Sequence, residues 1–402
     1  MTHSNIKIFR ARWLLPIDKP PIEDGDIVID IEKNKIVDLG THKQIREKYS
    51  QKLVKDFGNS IIFPGFINAH LHLEEPVLKD RPDNYLEHLR SMPDVTNQPE
   101  EEIKNQVKEN IKEAQSHGTV AFANFAKTGI CGEDIIKNDF FCRVFMEVSG
   151  FNSINANDIF RKYSRIIDSH NMTGNLTYHY AFSNLWSTSP ELLRMISSNE
   201  LHTVLHFGLL EEERDFFLNG KGPLKQFLLS LGDFDYSWEV PGLPPIKYFL
   251  QNSFNTKHNI LTHACEITEE DVKLMQKYDT KINICVCPRS DQNFNLRKVP
   301  VKMLQNNGVN VCLGTEGKYM VDDLDIRKDI RKLVTDFGLS AEAAIKIATL
   351  NGAYAIGFHR EVGSLSPQKT SRCYIMDFDE DFSDPYDAVA LSDKSIELLT
   401  NR

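Results

Sequence analysis

The sequence predicts an α/β protein, with a (β/α)8 barrel over residues 65–358 and a small β-sandwich formed by residues 1–64 together with 359–402. Two observations support this architecture. Eight short apolar runs alternate with segments of helical periodicity in the central region, as in parallel βα units. Strand-like patterns occur near both ends. The competing doubly wound open sheet is disfavoured, because no G-x-G-x-x-G turn follows a strand-like run.

The terminal segments supply the predicted sandwich. Alternating apolar and polar residues predict strands at Ile6–Trp13, Asp26–Ile31 and Lys35–Leu39. The turn Glu32–Asn34 predicts a hairpin between the last two. A similar run, Ser371–Phe378, lies near the other end of the chain. We therefore expect the two ends to pair in one small β domain.

The central region supplies the barrel. One predicted helix begins with a capping pattern, in which Thr268 precedes Asp271 by three residues. The eight apolar runs that predict strands are Phe66–His72, Gly118–Phe125, Arg143–Ser149, Asn175–Phe182, His202–Gly208, Asn259–Ala264, Lys281–Cys287 and Asn310–Glu316. The helical segments between them are Glu100–Ser116, Asn155–His170, Pro223–Leu231, Ile267–Tyr278 and Val299–Asn306.

The composition excludes several classes of partner. The net charge of −10 argues against nucleic acid and against an anionic membrane surface. No apolar run approaches the roughly 20 residues of a membrane span. The seven cysteines mostly lie inside apolar strand-like runs, and an odd number so placed suggests reduced thiols in a cytoplasmic protein.

The first predicted strand ends in a pair of histidines. His70 and His72 are separated by one residue, so on a strand their imidazoles point to the same face. Two imidazoles placed in this way can hold one transition metal. A single H-x-H pair also arises by chance, so its interpretation depends on the other strands.

Polar side chains recur on the other predicted strands of the barrel. A single histidine at such a place is more often structural, but a barrel gathers the carboxyl ends of its strands in one active site. Imidazoles and a carboxylate that converge there predict a site for one Zn²⁺ or Fe²⁺ ion, which would convert a bound water into a hydroxide nucleophile. Beyond the first strand, these side chains are His179, His206, His263 and Glu316.

Together these motifs resemble the amidohydrolase superfamily, in its deaminase and chlorohydrolase branch. The resemblance implies that His70, His72 and His206 are metal ligands, that His263 orients or deprotonates the water, and that Glu316 binds metal and acts as a base. The matching segments are Pro64–His72, Thr203–His206, Leu261–Ala264, Cys287–Ser290, Leu313–Glu316 and Ala348–Ala353, in the family's order.

A finer resemblance is to 6-aminodeoxyfutalosine deaminases and their relatives, carried by Ala11–Pro16, Pro20–Gly25 and Gly220–Leu224. It implies a small purine-nucleoside-like substrate. Relatives of this group are often dimers, so the resemblance also carries the expectation of a homodimer. The residues expected to contact the substrate are Glu74, at the ribose hydroxyls, and His179 and Trp238, in the pocket wall.

Two positions depart from the family pattern. The relatives carry a glutamate three residues after the strand-5 histidine, which protonates the leaving amine, whereas this chain has Leu209. Such acid–base steps are worth on the order of 10²–10⁴-fold in rate. Glu316 stands where the family usually has aspartate, which moves the carboxylate about 1.5 Å further from the strand.

Three functions fit these residues. The first is a metal-dependent hydrolase that deaminates an adenine-type nucleoside such as 6-aminodeoxyfutalosine, by attack of a metal-bound hydroxide. The second is a hydrolase that acts on a better leaving group. The third is a catalytically degenerate barrel that binds a metal or ligand without turnover, since a fold alone does not fix function.

Overall fold

The structure is a computed structural model that describes residues 5–77, 82, 84–91, 95–170, 172–253 and 256–402. Its strands are β1 (Ile6–Leu14), β2 (Ile22–Asp30), β3 (Lys35–Thr41), β4 (Val54–Asp56), β5 (Ser60–Pro64), β6 (Phe66–Leu71), β7 (Thr119–Ala126), β8 (Phe141–Val148), β9 (Leu176–Asn184), β10 (His202–Phe207), β11 (His258–His263), β12 (Lys281–Val286), β13 (Asn310–Leu313), β14 (Cys373–Asp377) and β15 (Glu397–Leu398). Its α-helices are α1 (His42–Lys48), α2 (Tyr85–Ser91), α3 (Glu100–Ser116), α4 (Gly132–Lys137), α5 (Ala156–Ser169), α6 (Pro190–Asn199), α7 (Glu212–Asn219), α8 (Pro223–Ser230), α9 (Pro245–Asn252), α10 (Glu269–Met275), α11 (Pro288–Asn293), α12 (Val301–Asn306), α13 (Ile326–Thr335), α14 (Ala341–Lys346), α15 (Gly352–Ala355) and α16 (Pro385–Leu391).

Strands β6 to β13 form one sheet in which each strand neighbours the next along the chain. The pairs from β8 to β13 are parallel. Backbone hydrogen bonds link the two edges of the sheet, because the His70 carbonyl accepts the N–H groups of Thr315 and Glu316 at 3.1 and 3.2 Å. The (β/α)8 barrel is therefore confirmed, and each of the eight apolar runs that predicted a strand overlaps one of these strands.

The barrel strands are continuous apolar runs because both of their faces are covered. Every residue of β6 and of β7 is buried. Strands that are covered on both sides lack the apolar–polar alternation of half-exposed strands. The burial pattern thus explains why short continuous apolar runs identified them.

Local sequence signals start several of the helices. Helix α3 opens with three glutamates, which lie at the positive end of the helix dipole. The Ser189 side chain accepts a hydrogen bond from Leu192 N, and Pro190 takes the first helical position of α6. The predicted capping pattern is present, because Thr268 and Asp271 bond reciprocally at the start of α10.

The terminal segments form a seven-stranded sheet in the order β15-β14-β5-β1-β2-β3, with β4 also paired to β1. The predicted hairpin joins β2 to β3, and Asn34 takes a left-handed conformation in its turn. Strand β14 pairs antiparallel to β5, so Tyr374 lies opposite Phe63. The two ends of the chain therefore meet in one sheet, as the sequence predicts.

The chain divides into two compact units. One comprises residues 1–68, 112–122 and 325–402, and the other comprises residues 69–111 and 123–324. The histidines and the carboxylate of the predicted metal site all belong to the second unit. The domain boundaries predicted from sequence, at residues 64 and 359, stay predictions.

Two further features concern the setting of the protein. All seven cysteines lie in the described ranges, and each is buried and outside any disulfide. None of the helices in the described part of the chain has the length and apolar character that crossing a bilayer requires.

Candidate metal centre

Three histidines and one glutamate meet at the carboxyl end of the barrel. One side-chain atom from each lies within 4.8 Å of those from the other three, and all four residues are buried. The four are His70, on β6, His206, on β10, His263, the last residue of β11, and Glu316, which follows β13. The structure thus brings together four of the residues that the sequence analysis named.

The backbone around this cluster is strained. His263 and Glu316 both have φ of 68°, in the left-handed region. Such backbone costs on the order of 1–3 kcal/mol in a non-glycine residue and is concentrated at functional sites. Gly314 allows a close approach of two strands, because a Cβ there would lie 2.6 Å from His70 Cβ. The fold therefore keeps an unfavourable backbone conformation at His263 and Glu316, which directs both side chains towards the cluster.

His72 lies between this cluster and a second group. Its Nε2 atom is 3.5 Å from Glu316 Oε1, and its Nδ1 atom is 3.5 Å from Glu75 Oε1. His72, Glu75 and Glu147 also place one ligand atom each within 4.8 Å of one another. The division of roles predicted from the family, with His72 as ligand and His263 at the water, stays a prediction.

The nitrogens that face the centre have the chemistry of metal ligands. The Nε2 atoms of His72, His206 and His263 are buried and make no hydrogen bond to the described residues. Each lies 3.5–3.8 Å from an oxygen of Glu316. Buried imidazole nitrogens are rarely left without a hydrogen bond, so this set of nitrogen and oxygen atoms fits one divalent cation.

Hydrogen bonds on the far side of two rings fix their orientation. The Nδ1 atom of His206 donates to the Ser183 carbonyl at 2.7 Å. The Nδ1 atom of His263 contacts the Asp291 carboxylate at 2.6 Å. A proton held on Nδ1 leaves the Nε2 lone pair facing the centre, as in metal sites whose histidines are oriented by an outer partner.

The electrostatics favour an ionised carboxylate at the centre. Burial opposes ionisation of Glu316, but the imidazoles of His70 and His72 hold its pKa well below the usual value. Burial lowers the pKa of His70 to about 3, although the Glu316 carboxylate beside it opposes the shift. Tyr319 Oη donates to Glu316 Oε1 at 2.5 Å and fixes the orientation of the carboxylate.

A cavity of about 360 Å³ opens beside the cluster. His72, His206 and Glu316 line it, so the candidate ligands are accessible from it. Aromatic side chains form much of the remaining wall, and the His88 ring stacks on Tyr319 with centroids 4.6 Å apart. The volume lies within the range of roughly 300–1,000 Å³ that is typical of small-molecule sites.

Several residues of this cavity were missed in the sequence analysis. Tyr85, His88 and Tyr319 lie outside the barrel strands, where no sequence period gives the direction of a side chain. Glu75 was missed because it directly follows Glu74, and the sequence does not show which of the two glutamates faces the cavity. Glu147 could have been found, because it is a carboxylate at the carboxyl end of a predicted strand, the same signal that identified His206.

Glu74 is placed away from this cavity. Its buried carboxylate accepts the N–H groups of Lys127, Thr128 and Gly129 at 2.9, 2.9 and 2.8 Å. Burial raises its pKa, although these three donors oppose the shift. The residue that follows, Glu75, lines the cavity instead.

The other two predicted substrate contacts also lie outside the cavity lining within the described part of the chain. His179 stands in the first half of β9, where Nδ1 contacts Glu200 at 3.0 Å and Nε2 contacts Arg143 at 3.0 Å. The Trp238 ring stacks on Phe216, with centroids 4.8 Å apart. The structure thus does not bring these two side chains to the centre, and their contact with substrate stays a prediction.

Leu209 is fully buried, with 1% of its surface exposed. Glu213 folds back and accepts the N–H groups of Gly208, Leu209 and Leu210. Its carboxylate therefore stabilises the turn after β10, and the cavity lining does not include it. Neither residue is placed to protonate a leaving group.

Comparison with known proteins agrees with this architecture. The model of the family described as "Amidohydrolase family" matches residues 61–397. A 5-methylthioadenosine/S-adenosylhomocysteine deaminase from Teredinibacter turnerae is 22% identical over 390 residues, which cover 92% of this chain and 84% of that protein. The corresponding deaminase from Halobacterium salinarum is 22% identical over 382 residues, covering 89% of this chain and 81% of that protein.

The fold is also similar to solved structures. Aminofutalosine deaminase from Helicobacter pylori superposes with a TM-score of 0.81 at 19% identity, over 98% of this chain and 97% of that chain. An adenosine deaminase from Xanthomonas campestris with bound zinc superposes with a TM-score of 0.76 at 16% identity, over 96% of this chain and 89% of that chain. At these identities the likeness concerns the fold alone.

Proposed function

The chain belongs to the amidohydrolase family and is a metal-dependent hydrolase, and from that premise we propose that it deaminates an adenine-type nucleoside such as 6-aminodeoxyfutalosine. The observation that carries the proposal is the convergence of His70, His206, His263 and Glu316 beside a cavity of about 360 Å³, which His206 and Glu316 line. The deaminase names of the relatives support the reaction class. The ion is Zn²⁺ or Fe²⁺, both of which suit imidazole ligands.

The proposed reaction also needs a proton acceptor and a negative charge beside the ion, which His263 and Glu316 would supply. When bound, a divalent ion lowers the pKa of a water to about 7 and so supplies the nucleophile. Burial acts to lower the pKa of His263, but Asp291 beside it raises the net value. With its Nδ1 proton held by Asp291, His263 would accept the proton of the attacking water on Nε2, while His70, His72 and His206 would hold the ion together with Glu316. Glu316 stays ionised and balances the positive charge.

The metal assignment is tested by the metal content of purified protein. We expect one equivalent of zinc or iron per chain by elemental analysis, and its loss in His206→Gln. His179→Gln is the matched control, because it removes a partly buried imidazole that lies outside the cluster. Equal metal content in both variants would refute the assignment of the centre.

The reaction is tested by ammonia release from adenosine, 5-methylthioadenosine, S-adenosylhomocysteine and 6-aminodeoxyfutalosine. We expect ammonia from at least one of them, and none after Glu316→Gln. A protein that holds its metal and releases ammonia from none of the four would refute the proposed deamination.

One observation favours the alternative, a family member with an altered reaction or none. Leu209 occupies the position of the proton-donating glutamate of the relatives, and it is buried without a polar group. A metal-bound protein that is inactive on the four nucleosides would support this alternative.

A further inference from the structure

Release of ammonia from a C–NH₂ group requires a proton on the leaving nitrogen. Leu209 has none to give, and Glu213 is held by the backbone of the turn that contains Leu209. If the proposed deamination operates, the proton must therefore come from another group in the cavity wall.

Among the residues that the structure describes, the carboxylates that line the cavity are Glu75, Glu147, Asp233 and Glu316. Glu316 is a candidate metal ligand. Asp233 accepts the N–H groups of Phe151 and Asn152 at 2.7 and 3.3 Å, which commits both of its oxygens to the backbone. These contacts leave Glu75 and Glu147 as candidates for proton transfer.

Glu75 is paired with two basic side chains. Its Oε1 atom lies 3.5 Å from His72 Nδ1 and 3.6 Å from Lys127 Nζ, and the residue is buried. These contacts hold the Glu75 carboxylate on His72 and Lys127, so it is placed to orient His72 and not to reach a leaving group in the cavity.

Glu147 is anchored directly beside the centre. It is the penultimate residue of β8, and its Oε1 atom accepts the Ser183 hydroxyl at 2.7 Å. The carbonyl of the same Ser183 accepts the Nδ1 proton of His206 at 2.7 Å. One residue therefore fixes the carboxylate of Glu147 relative to a candidate ligand.

Glu147 also lies close to the candidate ligands and faces the cavity. An oxygen of Glu147 lies within 4.8 Å of a ring nitrogen of His72, and His72 Nε2 is 3.5 Å from Glu316. The side chain lines the cavity and is half-buried, so a substrate in the cavity would contact it.

We propose that Glu147 is the catalytic residue that protonates the leaving amine, in place of the glutamate that relatives carry at the position of Leu209. This inference rests on the proposed deamination. In that reaction a C–O bond forms, and the C–N bond breaks with its electron pair going to nitrogen. Of the two hydrogens of the water, His263 receives the first, which then ends on the ring nitrogen. Glu147 receives the second and passes it to the amine, so both side chains end each turnover in the protonation state in which they began it.

The test is the substitution Glu147→Gln, which keeps an oxygen for the Ser183 hydroxyl but cannot carry the proton. We expect kcat to fall by about 10²–10⁴-fold, with KM changed by less than about threefold. Metal content and the affinity for the deaminated product, measured by calorimetry, are expected to stay unchanged. Glu147→Asp is expected to keep part of the activity, with a shifted pH profile of kcat.

The matched control is Glu191→Gln. Glu191 accepts the Ser153 hydroxyl at 2.6 Å, so the control alters the same kind of Ser–Glu pair outside the cavity lining. We expect kcat to be unchanged. If Glu147→Gln does not fold, Glu147→Asp carries the test alone, because a proton carrier moved by one methylene must lower kcat.

Three results for the Glu147→Gln variant would overturn the inference. An unchanged kcat would mean that the proton comes from elsewhere. A raised KM with an unchanged kcat would make Glu147 a binding residue. Loss of one metal equivalent would make it a ligand in the group with His72 and Glu75. A wild-type protein that releases no ammonia overturns both this inference and the proposed function, whereas active wild-type protein with an equally active Glu147→Gln overturns only the inference.

Discussion

Glu213 lies outside the cavity lining, yet its loss is expected to cost the protein much of its stability. The carboxylate is 1% exposed and accepts the N–H groups of Gly208, Leu209 and Leu210 at 3.1, 3.0 and 3.4 Å. A buried N–H that loses its acceptor costs about 1–3 kcal/mol. The third bond is long, so we count mainly the first two. Glu213→Ala is therefore expected to lower the free energy of unfolding by about 2–5 kcal/mol at pH 6.

The same side chain predicts a pH dependence of opposite sign to that of most carboxylates. Burial raises the pKa of Glu213 to about 7, although the three backbone donors oppose the shift. Its unfolded value is 4.5. Between pH 4.5 and 7 the folded protein keeps a proton that the unfolded chain releases, so stability falls as the pH rises through this window. The full effect is at most about 3.5 kcal/mol, at about 1.4 kcal/mol for each pH unit.

Urea unfolding followed by circular dichroism at pH 5, 6, 7 and 8 tests both effects. Glu213→Gln keeps an oxygen for the backbone donors but cannot ionise, so its stability relative to wild type should rise between pH 5 and 7. Subtracting the two curves removes the contribution of the histidines. Glu212→Ala is the control on the same helix, with an expected change within about 0.5 kcal/mol. A Glu213→Ala variant as stable as wild type, or an unaltered slope in Glu213→Gln, would refute the reasoning.

Three further predictions concern stability and metal. Glu74→Ala should lower the free energy of unfolding by about 2–4 kcal/mol without changing the metal content, because three backbone donors lose their acceptor; loss of metal with unchanged stability would contradict this. Burial, and after it the charge of Arg143, lowers the pKa of His202 to about 4, so the free energy of unfolding should fall as the pH falls from 6.5 towards 4. In His202→Gln the loss of stability between pH 7.5 and pH 4.5, measured by urea unfolding, should be smaller by about 1 kcal/mol, a value that allows for the partial exposure of the ring; an equal loss in wild type and variant would count against this. Removal of metal by a chelator should lower the Tm by several degrees in wild type and leave His206→Gln unaffected, by scanning fluorimetry, since ligands of the folded state stabilise it; equal shifts in both would contradict the assigned centre.

The strands and the candidate ligands could be predicted from sequence because both depend on a simple geometric rule. A strand covered on both faces must be a continuous apolar run, and a parallel barrel brings the carboxyl ends of such runs together. His70, His206 and His263 sit near or at those ends, so naming the strands was enough to bring them together. His179 failed this rule, because β9 continues to Asn184 and leaves His179 in its first half.

The rest of the site could not be predicted because it lies beyond the strands. A strand alternates its side chains between two faces, but past Leu71 that alternation ends, and sequence gives no reason why Glu74 caps a backbone turn while Glu75 enters the cavity. Likewise, Glu213 is one of three consecutive glutamates, and only the fold of the turn after β10 selects it as the acceptor.

The two departures from the family pattern differ in their structural consequences. The longer side chain at Glu316 still reaches all the imidazoles, and its left-handed backbone and the Tyr319 hydroxyl set its direction, so the substitution is accommodated within the centre. At Leu209 nothing replaces the missing carboxylate. The side chain is buried, and the nearby Glu213 carboxylate is used to accept backbone N–H groups of the same turn. The candidate metal-binding side chains thus lie together, while the position expected for the proton donor holds a leucine. Glu147 accepts the Ser183 hydroxyl, and the Ser183 carbonyl accepts the Nδ1 proton of His206, so a second carboxylate is fixed beside the candidate centre at the place where the proposed proton carrier is needed.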